Sequence, residues 1–455
     1  MKKIYTFLIL IFTVTTAFSQ TWRYINAAGT DILWSNSANW SENILPVAGD
    51  RVGVWNPTES VDLDVDLTVE IFQNNGTRPN DLVLLSNLGN TLTIDVNSRT
   101  NFGATTSNGI RNWTSAATNL KIDCSVIVNN SMSESGANYD DWTSFEIEDN
   151  VGNSIEFGSN SSLELAGAGG TGLFGDGIGE FFMNGALSGT QVLGIGLNTK
   201  ATFGSTFVNN SFTGGVTVYA GAEIIVNTPD GVKFSNKKLQ ANGTGATVTL
   251  NNANVMGKEI SIQGANVLDI NVNANQSLSH LTFTGTGNGT LNLNIDSSVT
   301  ELNFWRNHLK NWGTGTLNIN GYQEGVVNFG PDITTPGLTA QQLSQITING
   351  QVPNGGNPLS LDATGHLVGA SDLILSTDNY NTFEFSVYPN PASSNISIQS
   401  IEPLKNAQVF DVLGRKVLET FELENIDISN LRSGMYVLQL EAESGGIATK
   451  KIVKK

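Results

Sequence analysis

The feature that most constrains this chain is a theme repeated between Val61 and Gly330. Runs of roughly four to eight residues rich in Val, Ile, Leu and Thr are separated by turns of Gly, Asn and Ser. Apolar and polar residues alternate within each run, which is typical of a strand with one buried face. From Ala246 onward the runs recur about every ten residues, a spacing that fits an all-β sandwich, barrel or solenoid.

Two observations favour the solenoid. The repetitive region covers about 270 residues, more than a usual single sandwich. Asn also recurs at strand ends, where stacked coils would align side chains in ladders. The sequence therefore predicts an all-β fold with a right-handed parallel β-helix over 61–350, followed by a small antiparallel β-sandwich. Because the repeat is irregular, two successive sandwich domains are the alternative. The strand-end residues are Asn251, Asn252, Asn271, Asn273, Asn292 and Asn294.

The ends of a solenoid need covers, because exposed edge strands would pair with other chains. Residues 20–60 are predicted to form the N-terminal cap. They contain Trp22, Trp34 and Trp40, followed by a Pro and a Gly-Asp-Arg-Val stretch. This pattern resembles the opening of large secreted bacterial β-helix proteins, in which it caps the first coil.

The segment that closes the solenoid contains a predicted short helix. Thr339 is its expected N-cap and Gln342 completes a capping box, while Leu338 and Leu343 stand where a hydrophobic staple would sit. Together with the preceding Gly-Thr-Gly-Thr-Leu-Asn-Ile run, the segment resembles the end of autotransporter-type passenger repeats. Residues 351–384 are then expected to form a closing segment and linker.

The first 19 residues predict a secretory signal peptide. Lys2 and Lys3 precede an apolar run, and Ala17-Phe18-Ser19 offers a cleavage site before Gln20. The run is short for a bilayer span, so a membrane anchor is the weaker alternative.

The chain has 41 Asp+Glu against 23 Lys+Arg, a net charge of −18, which argues against nucleic acid as a partner. No transmembrane segment is predicted in the rest of the chain.

Residues 385–455 form a separate unit of short strands and tight turns. Three motifs occur in order: Tyr-Pro-Asn-Pro, Asp-Val-Leu-Gly and Leu-Arg-Ser-Gly-Met-Tyr, followed by a basic tail. The unit resembles the type A C-terminal sorting domain of the type IX secretion system. The resemblance implies a sorting signal made of Tyr388, Pro389, Asn390, Pro391, Asp411, Gly414, Gly434, Tyr436, Lys450 and Lys451.

The resemblance also implies recognition by the outer-membrane machinery, removal of the domain after export, and a secreted or cell-surface location reached through the periplasm. A carbohydrate-binding sandwich is the alternative, because a sandwich fold alone does not determine function. The prolines are expected to stiffen the entry to the domain. Gly414 and Gly434 are expected at turns that other residues would strain.

Few residues form a pattern with a known chemistry. The histidines His280, His308 and His366 are far apart and have no zinc-ligand spacing. The single cysteine, Cys124, excludes an intrachain disulfide and lies in a strand-like run, where a small buried hydrophobe is expected. No catalytic residues and no cofactor are therefore predicted, with calcium as the one reservation.

The candidate calcium ligands are three aspartates in the run Val-Asp-Leu-Asp-Val-Asp-Leu. Alternation by two would place Asp62, Asp64 and Asp66 on one face of a strand. Three carboxylates in a row could supply the oxygen ligands of a calcium ion. The preferred interpretation is that they form the solvated face of a strand whose Val and Leu residues face the core.

A second candidate site gathers two tryptophans with basic residues. Trp305, Arg306 and Trp312 are candidate glycan contacts, since Trp faces stack on sugars and a cation meets an acidic glycan. Burial beneath a solenoid loop is the commoner fate of such tryptophans.

The sequence favours a non-enzymatic, adhesin-like surface protein. The alternatives are a polysaccharide lyase or glycoside hydrolase on a β-helix, or a glycan-binding protein. A groove lined by acids with Arg or Lys would favour an enzyme, and a smooth side would favour the structural role.

Overall fold

The chain divides into two compact units, Met1–Leu373 and Ile374–Lys455. The signal peptide predicted at 1–19, together with Arg306, His308 and Gly414, lies outside the described residues. No helix among the described residues is long and apolar enough to cross a membrane. The computed structural model describes residues 22–25, 31–55, 59–76, 81–96, 109–115, 117–130, 143–147, 152–175, 179–305, 307, 310–330, 337–353, 359–369, 385–400, 403–411, 415–423, 425–442 and 447–455.

The first unit is a parallel β-helix built on two long sheets. In each sheet, every strand between the two end strands pairs in parallel with the strand one coil before and the strand one coil after it. Sheet A has 11 strands: Trp22–Ile25, Arg51–Val54, Ile71–Gly76, Gly109–Thr114, Thr143–Ile147, Thr171–Gly175, Leu193–Ile195, Val216–Val218, Lys238–Ala241, Glu259–Gln263 and His280–Thr284. Sheet B has 12 strands: Ser60–Asp62, Leu82–Leu85, Asn119–Asp123, Ser154–Phe157, Glu180–Met183, Lys200–Phe203, Glu223–Val226, Ala246–Leu250, Val267–Val272, Thr290–Ile295, Thr316–Asn320 and Ile346–Ile348.

Two shorter parallel sheets form a third side of the coils. Sheet C has six strands and serves the early coils: Leu67–Val69, Thr91–Val96, Ser125–Asn130, Ser162–Gly167, Ala186–Gly189 and Val208–Phe212. Sheet D has three strands and serves the late coils: Gln276–Leu278, Leu302–Phe304 and Val327–Asn328. The prediction of a β-solenoid is confirmed, and the alternative of two sandwiches in this region is wrong.

Alternation along each strand produces one continuous apolar core. In sheet B a single column of inward side chains, each at most 1% exposed, connects eleven successive coils. Leu, Ile, Phe, Val and Ala fill it, as expected for positions that contact the coil above and the coil below. The column consists of Leu82, Leu120, Ile155, Phe181, Ala201, Ile224, Val248, Ile270, Leu293, Ile319 and Ile348.

The parallel ladder begins earlier than the predicted boundary at residue 61. Trp22–Ile25 already pairs in parallel with Arg51–Val54, inside the segment assigned to the cap. What covers the first coil is the intervening stretch, with short 3₁₀ turns at Ser37–Asn39 and Ser41–Asn43. Trp34 and Trp40 are each 2% exposed and pack edge to face at 4.5 Å. Both join the solenoid core, whereas Trp22 does not.

The other end of the solenoid is closed by one helical turn and a hairpin. The helix Ala340–Ser344 has the predicted capping box, in which Thr339 and Gln342 satisfy each other's backbone N–H groups. Leu338 and Leu343 pack against the core. The antiparallel hairpin Ser360–Leu361 and Leu367–Val368 follows, and Leu367 is fully buried. Part of the stretch predicted as closing segment and linker therefore covers the last coil.

The second unit is a small antiparallel sandwich, as predicted. Its strands alternate inward apolar residues, which form a core separate from that of the solenoid. Sheet E contains Phe385–Tyr388, Asn395–Ser400 and Ile426–Asp427. Sheet F contains, in spatial order, Lys416–Thr420, Leu404–Asp411, Gly434–Ala442 and Ile447–Lys454.

Candidate functional site

The Tyr-Pro-Asn-Pro motif is fastened to the last strand of the sandwich by one side chain. The Asn390 amide donates to the Lys451 carbonyl at 2.9 Å and accepts from the Val453 N–H at 2.9 Å. Ala392 continues the contact, because its N–H donates to the Val453 carbonyl and its carbonyl accepts from the Lys455 N–H. A short polar residue between two prolines therefore docks the entry of the domain onto its final strand.

The second and third motifs lie at the same end of the sandwich. Asp411 pairs in register with Tyr436, and Tyr436 pairs with Ile452 of the last strand. The Asp411 carboxylate accepts from the backbone N–H and the guanidinium of Arg415, which closes the hairpin between the first two strands of sheet F. Tyr436 is 9% exposed, and its hydroxyl donates to the Arg432 carbonyl at 2.8 Å.

Motifs separated by more than half of the domain's sequence thus converge on one end of a two-sheet sandwich. A family model described as the secretion system C-terminal sorting domain matches residues 386–455. The second unit is a type IX secretion sorting domain. Searches of the curated proteins and of the solved structures gave no match to the chain. The sorting domain indicates export, followed by secretion or attachment at the cell surface.

Two details of the sorting domain refine the sequence interpretation. Gly434 is the first residue of an extended strand and has no positive φ, and an added Cβ would meet only the Tyr436 ring, at 4.0 Å. The expectation that Gly434 occupies a strained turn is therefore wrong. The Lys450 ammonium donates to the backbone carbonyl of Phe385 at 2.7 Å and lies 5.5 Å from the centre of the Phe385 ring, so Lys450 links the two sheets. Lys451, by contrast, is exposed.

In the solenoid, the predicted Asn ladders are present on the outer face of sheet B. Asn294 donates to Asn271 at 2.9 Å, and Asn320 donates to Asn294 at 2.7 Å. A second ladder joins Asn273, Asn251 and Asn227 at 2.7 Å per step. The partners are 22 to 26 residues apart, which is one coil. Asn252 instead donates to the carbonyl of Thr228 in the preceding coil.

The three aspartates proposed for calcium do not lie on one strand face. A strand of sheet B ends at Asp62 and a strand of sheet C begins at Leu67, so the run turns a corner of the coil. Asp62 accepts from Asn87, Asp64 from Ser35, and Asp66 from the Thr91 N–H. Within the part of the chain that the structure describes, no three His, Cys, Asp or Glu residues are grouped to hold a metal ion.

The two tryptophans proposed for glycan contact have different environments. Trp312 is 1% exposed, donates its indole N–H to the Leu281 carbonyl at 3.2 Å, and packs against Phe283 and Phe329. Its assignment as a glycan contact is wrong, because no ligand could reach a ring in the core. Trp305 is 43% exposed.

The described histidines and the cysteine are held by their neighbours. His280 contacts Glu259 at 3.1 Å, and His366 contacts Asn328 and Thr364. Cys124 is buried as expected. Burial, with a smaller contribution from the Asp123 charge, raises the pKa of its thiol to about 12, so it is not a nucleophile at neutral pH.

Charged pairs that the sequence pattern did not reveal lie on the outer face of sheet A. Arg51 pairs with Glu70 at 3.1 Å, and Arg111 pairs with Glu146 at 3.3 Å. Burial lowers the pKa of Arg111, and the negative charge of Glu146 opposes that shift. The four residues come from strands or turns of four coils, so no local motif in the sequence could have identified the group.

An aromatic cluster near these pairs was also missed. Trp22 and Tyr24 project from the outer face of the first strand, with nearly parallel rings 5.8 Å apart. Trp55 meets Tyr24 edge to face at 5.1 Å and is 53% exposed. Trp22 and Tyr24 are two residues apart on one strand, which is the signal that could have placed them on the same side.

Proposed function

We propose that the exported protein is a non-catalytic, adhesin-like β-helix, displayed or released outside the cell. Export rests on the sorting domain. The adhesin-like role rests on how the solenoid uses its polar side chains.

The observation that carries this proposal is the pairing of polar groups between coils. Lys200 pairs with Glu180 one coil earlier at 3.3 Å, and Glu259 holds both His280 and Thr282 of the next coil. The Asn ladders of sheet B work in the same way. Groups engaged with their neighbours stabilise the stack and present a regular polar face, whereas an active site needs acids and bases free to exchange protons.

The test is product release by the purified, exported protein. It is incubated with panels of neutral and acidic polysaccharides, and both new reducing ends and unsaturated uronate absorbance are followed. The proposal expects neither to rise above a heat-denatured control. Release of oligosaccharides from any polymer, lost after denaturation, would establish a glycan-active enzyme instead.

Glycan binding without catalysis is a second candidate, favoured by the aromatic cluster Trp22, Tyr24 and Trp55. Exposed aromatic rings stack on the apolar faces of sugars. The Trp55→Ala variant is expected to lose retention on an insoluble polysaccharide that holds the wild type. Leu197→Ala, which removes an exposed apolar side chain in a different coil, is the control. Equal retention of the wild type and both variants would exclude this cluster as the binding site.

A further inference from the structure

The outer face of sheet F changes character along its strands. At one end, register pairs Gln408 with Gln439 and Gln439 with Thr449. At the other end, Phe410 lies beside Val437, the next outward position along that strand is Met435, and Val453 lies beside Met435. The face is thus polar over one half and apolar over the other.

The apolar half is exposed where an antiparallel sheet with a buried opposite face is normally polar. Met435 is 53% exposed and Val437 is 42% exposed. The inward residues of the same strand, Tyr436, Leu438 and Leu440, already fill the core. The outward apolar side chains therefore add nothing to the sandwich interior, and a contiguous exposed apolar area is typical of a contact surface.

Positive charge borders this area in an otherwise acidic protein. Lys451 lies directly beside Val437 in register and makes no ion pair within the described residues. The exposed Lys455 follows two residues after Val453, whereas the whole chain has a net charge of −18. A partner that fits would offer an apolar groove with an acidic border.

The apolar half also lies at the end where the three sorting motifs meet. Asn390 holds the backbone at Lys451 and Val453, and Tyr436 lies between Met435 and Val437 with its ring turned inward. The motif residues therefore position the two strands whose outward side chains form the exposed strip.

We propose that the export machinery binds this strip, here called the export face: Phe410, Met435, Val437, Lys451 and Val453. The partner is a protein of the type IX machinery with an apolar groove and acidic border. Asn390, Asp411 and Tyr436 are positioning residues, which set the register of the export face.

The experiment uses the full chain, expressed in a bacterium with a working type IX system. One variant carries Met435→Glu with Val437→Glu, and a second carries Lys451→Glu. The matched control carries Gln439→Glu with Thr449→Glu, which adds the same charge to the polar half of the same sheet. The fraction outside the cell and the fraction in the periplasm are measured by immunoblot.

Both export-face variants are expected to lower the exported fraction about tenfold or more, which corresponds to roughly 1.4 kcal/mol. Met435→Glu with Val437→Glu would bury charge in the apolar contact, and Lys451→Glu would place a negative charge against the acidic border of the partner. The control is expected to stay within about twofold of the wild type, because exposed substitutions away from a contact have small effects. Normal export of both export-face variants, or an equal defect in the control, would overturn the proposal.

Loss of folding is separated from loss of binding by a milder pair, Met435→Gln with Val437→Thr, which removes apolar area without adding charge. Reduced export together with wild-type thermal unfolding of the purified chain supports the proposal, and normal export overturns it. Oxidative footprinting adds an independent readout. Met435 should oxidise readily in the intact chain, and its protection there would show that the chain itself covers the export face.

Discussion

Replacing Leu293 with Ala tests whether the coils share one interior. Leu293 is 1% exposed and lies in register between Ile270 of the previous coil and Ile319 of the next. Its side chain therefore contacts residues that are distant in sequence but adjacent in the stack. Truncation would leave a cavity between two coils, because neighbouring strands paired on both sides cannot move in to fill it.

Leu293→Ala is expected to lower the free energy of unfolding by about 2–5 kcal/mol, the range for a buried Leu→Ala change in a core that relaxes only partly. The neighbouring residue provides the matched control. Asn294 points outward, and Asn294→Ala removes its bonds to Asn271 and Asn320. These groups are partly exposed, so water can replace the lost hydrogen-bond partners. We therefore expect Asn294→Ala to lower the free energy of unfolding by about 1 kcal/mol.

Hydrogen exchange followed by mass spectrometry is the appropriate assay, because a long solenoid need not unfold in one step. Leu293→Ala should reduce protection in the strands containing Ile270 and Ile319, and leave the strand Ser154–Phe157 protected as in the wild type. A change confined to residues adjacent in sequence, or an effect of Asn294→Ala as large as that of Leu293→Ala, would refute the reasoning.

Three further predictions follow from single side chains. The Cys124 thiol, with a pKa of about 12 through burial and the Asp123 charge, should not react with a disulfide reagent at pH 8 until the chain unfolds; reaction in the native protein would contradict its burial. Trp312→Ala should cost about 3–5 kcal/mol and Trp305→Ala less than about 0.5 kcal/mol in denaturant unfolding, and similar losses would contradict their different exposure. The hydrogen bond from Thr364 is the largest cause that lowers the pKa of the Asp362 carboxyl below 3.8. The ionised Asp362 therefore stabilises the fold at neutral pH, and this stabilisation is lost as the pH falls through the lowered pKa. Amide exchange in 359–369, corrected for intrinsic rates, should therefore rise at acid pH, and Asp362→Asn should remove this pH dependence.

Truncation tests the sorting domain as a whole. Deletion of 385–455 should retain the protein in the periplasm, because the outer-membrane machinery then has no domain to recognise. Fractionation of cells expressing the truncated and full chains, with a periplasmic marker as the control, measures this. Delivery of the truncated protein to the surface would refute the sorting assignment.

Strand alternation and Asn placement were sufficient to predict the solenoid. Inward and outward positions follow directly from a period of two, so the core column of sheet B and the ladder through Asn271 and Asn294 were both foreseeable. The sorting motifs were equally predictive, since their order and spacing are local to one short unit.

What alternation cannot show is where a coil turns. The run from Asp62 to Asp66 has the pattern of one strand, yet it crosses from sheet B to sheet C. At this corner Leu63 is buried in the core, whereas Val65 is 39% exposed. Burial of Trp312 was the preferred interpretation, but its partners, like the Arg–Glu pairs of sheet A, could not be predicted, for a related reason. Their environments are made by neighbours one coil away, such as Leu281 for Trp312, at sequence distances that vary from coil to coil.

Engineered cysteine pairs test the coil register most directly. Asn271 and Asn294 are register partners on adjacent strands, where neighbouring backbones lie about 4.8 Å apart. The double variant Asn271→Cys with Asn294→Cys should form a disulfide under mild oxidation. The pair Asn271→Cys with Asn320→Cys spans two coils, roughly 10 Å, and should stay reduced, since bridged Cα atoms lie within about 7 Å. A disulfide in the second pair but not the first would contradict the parallel β-helix.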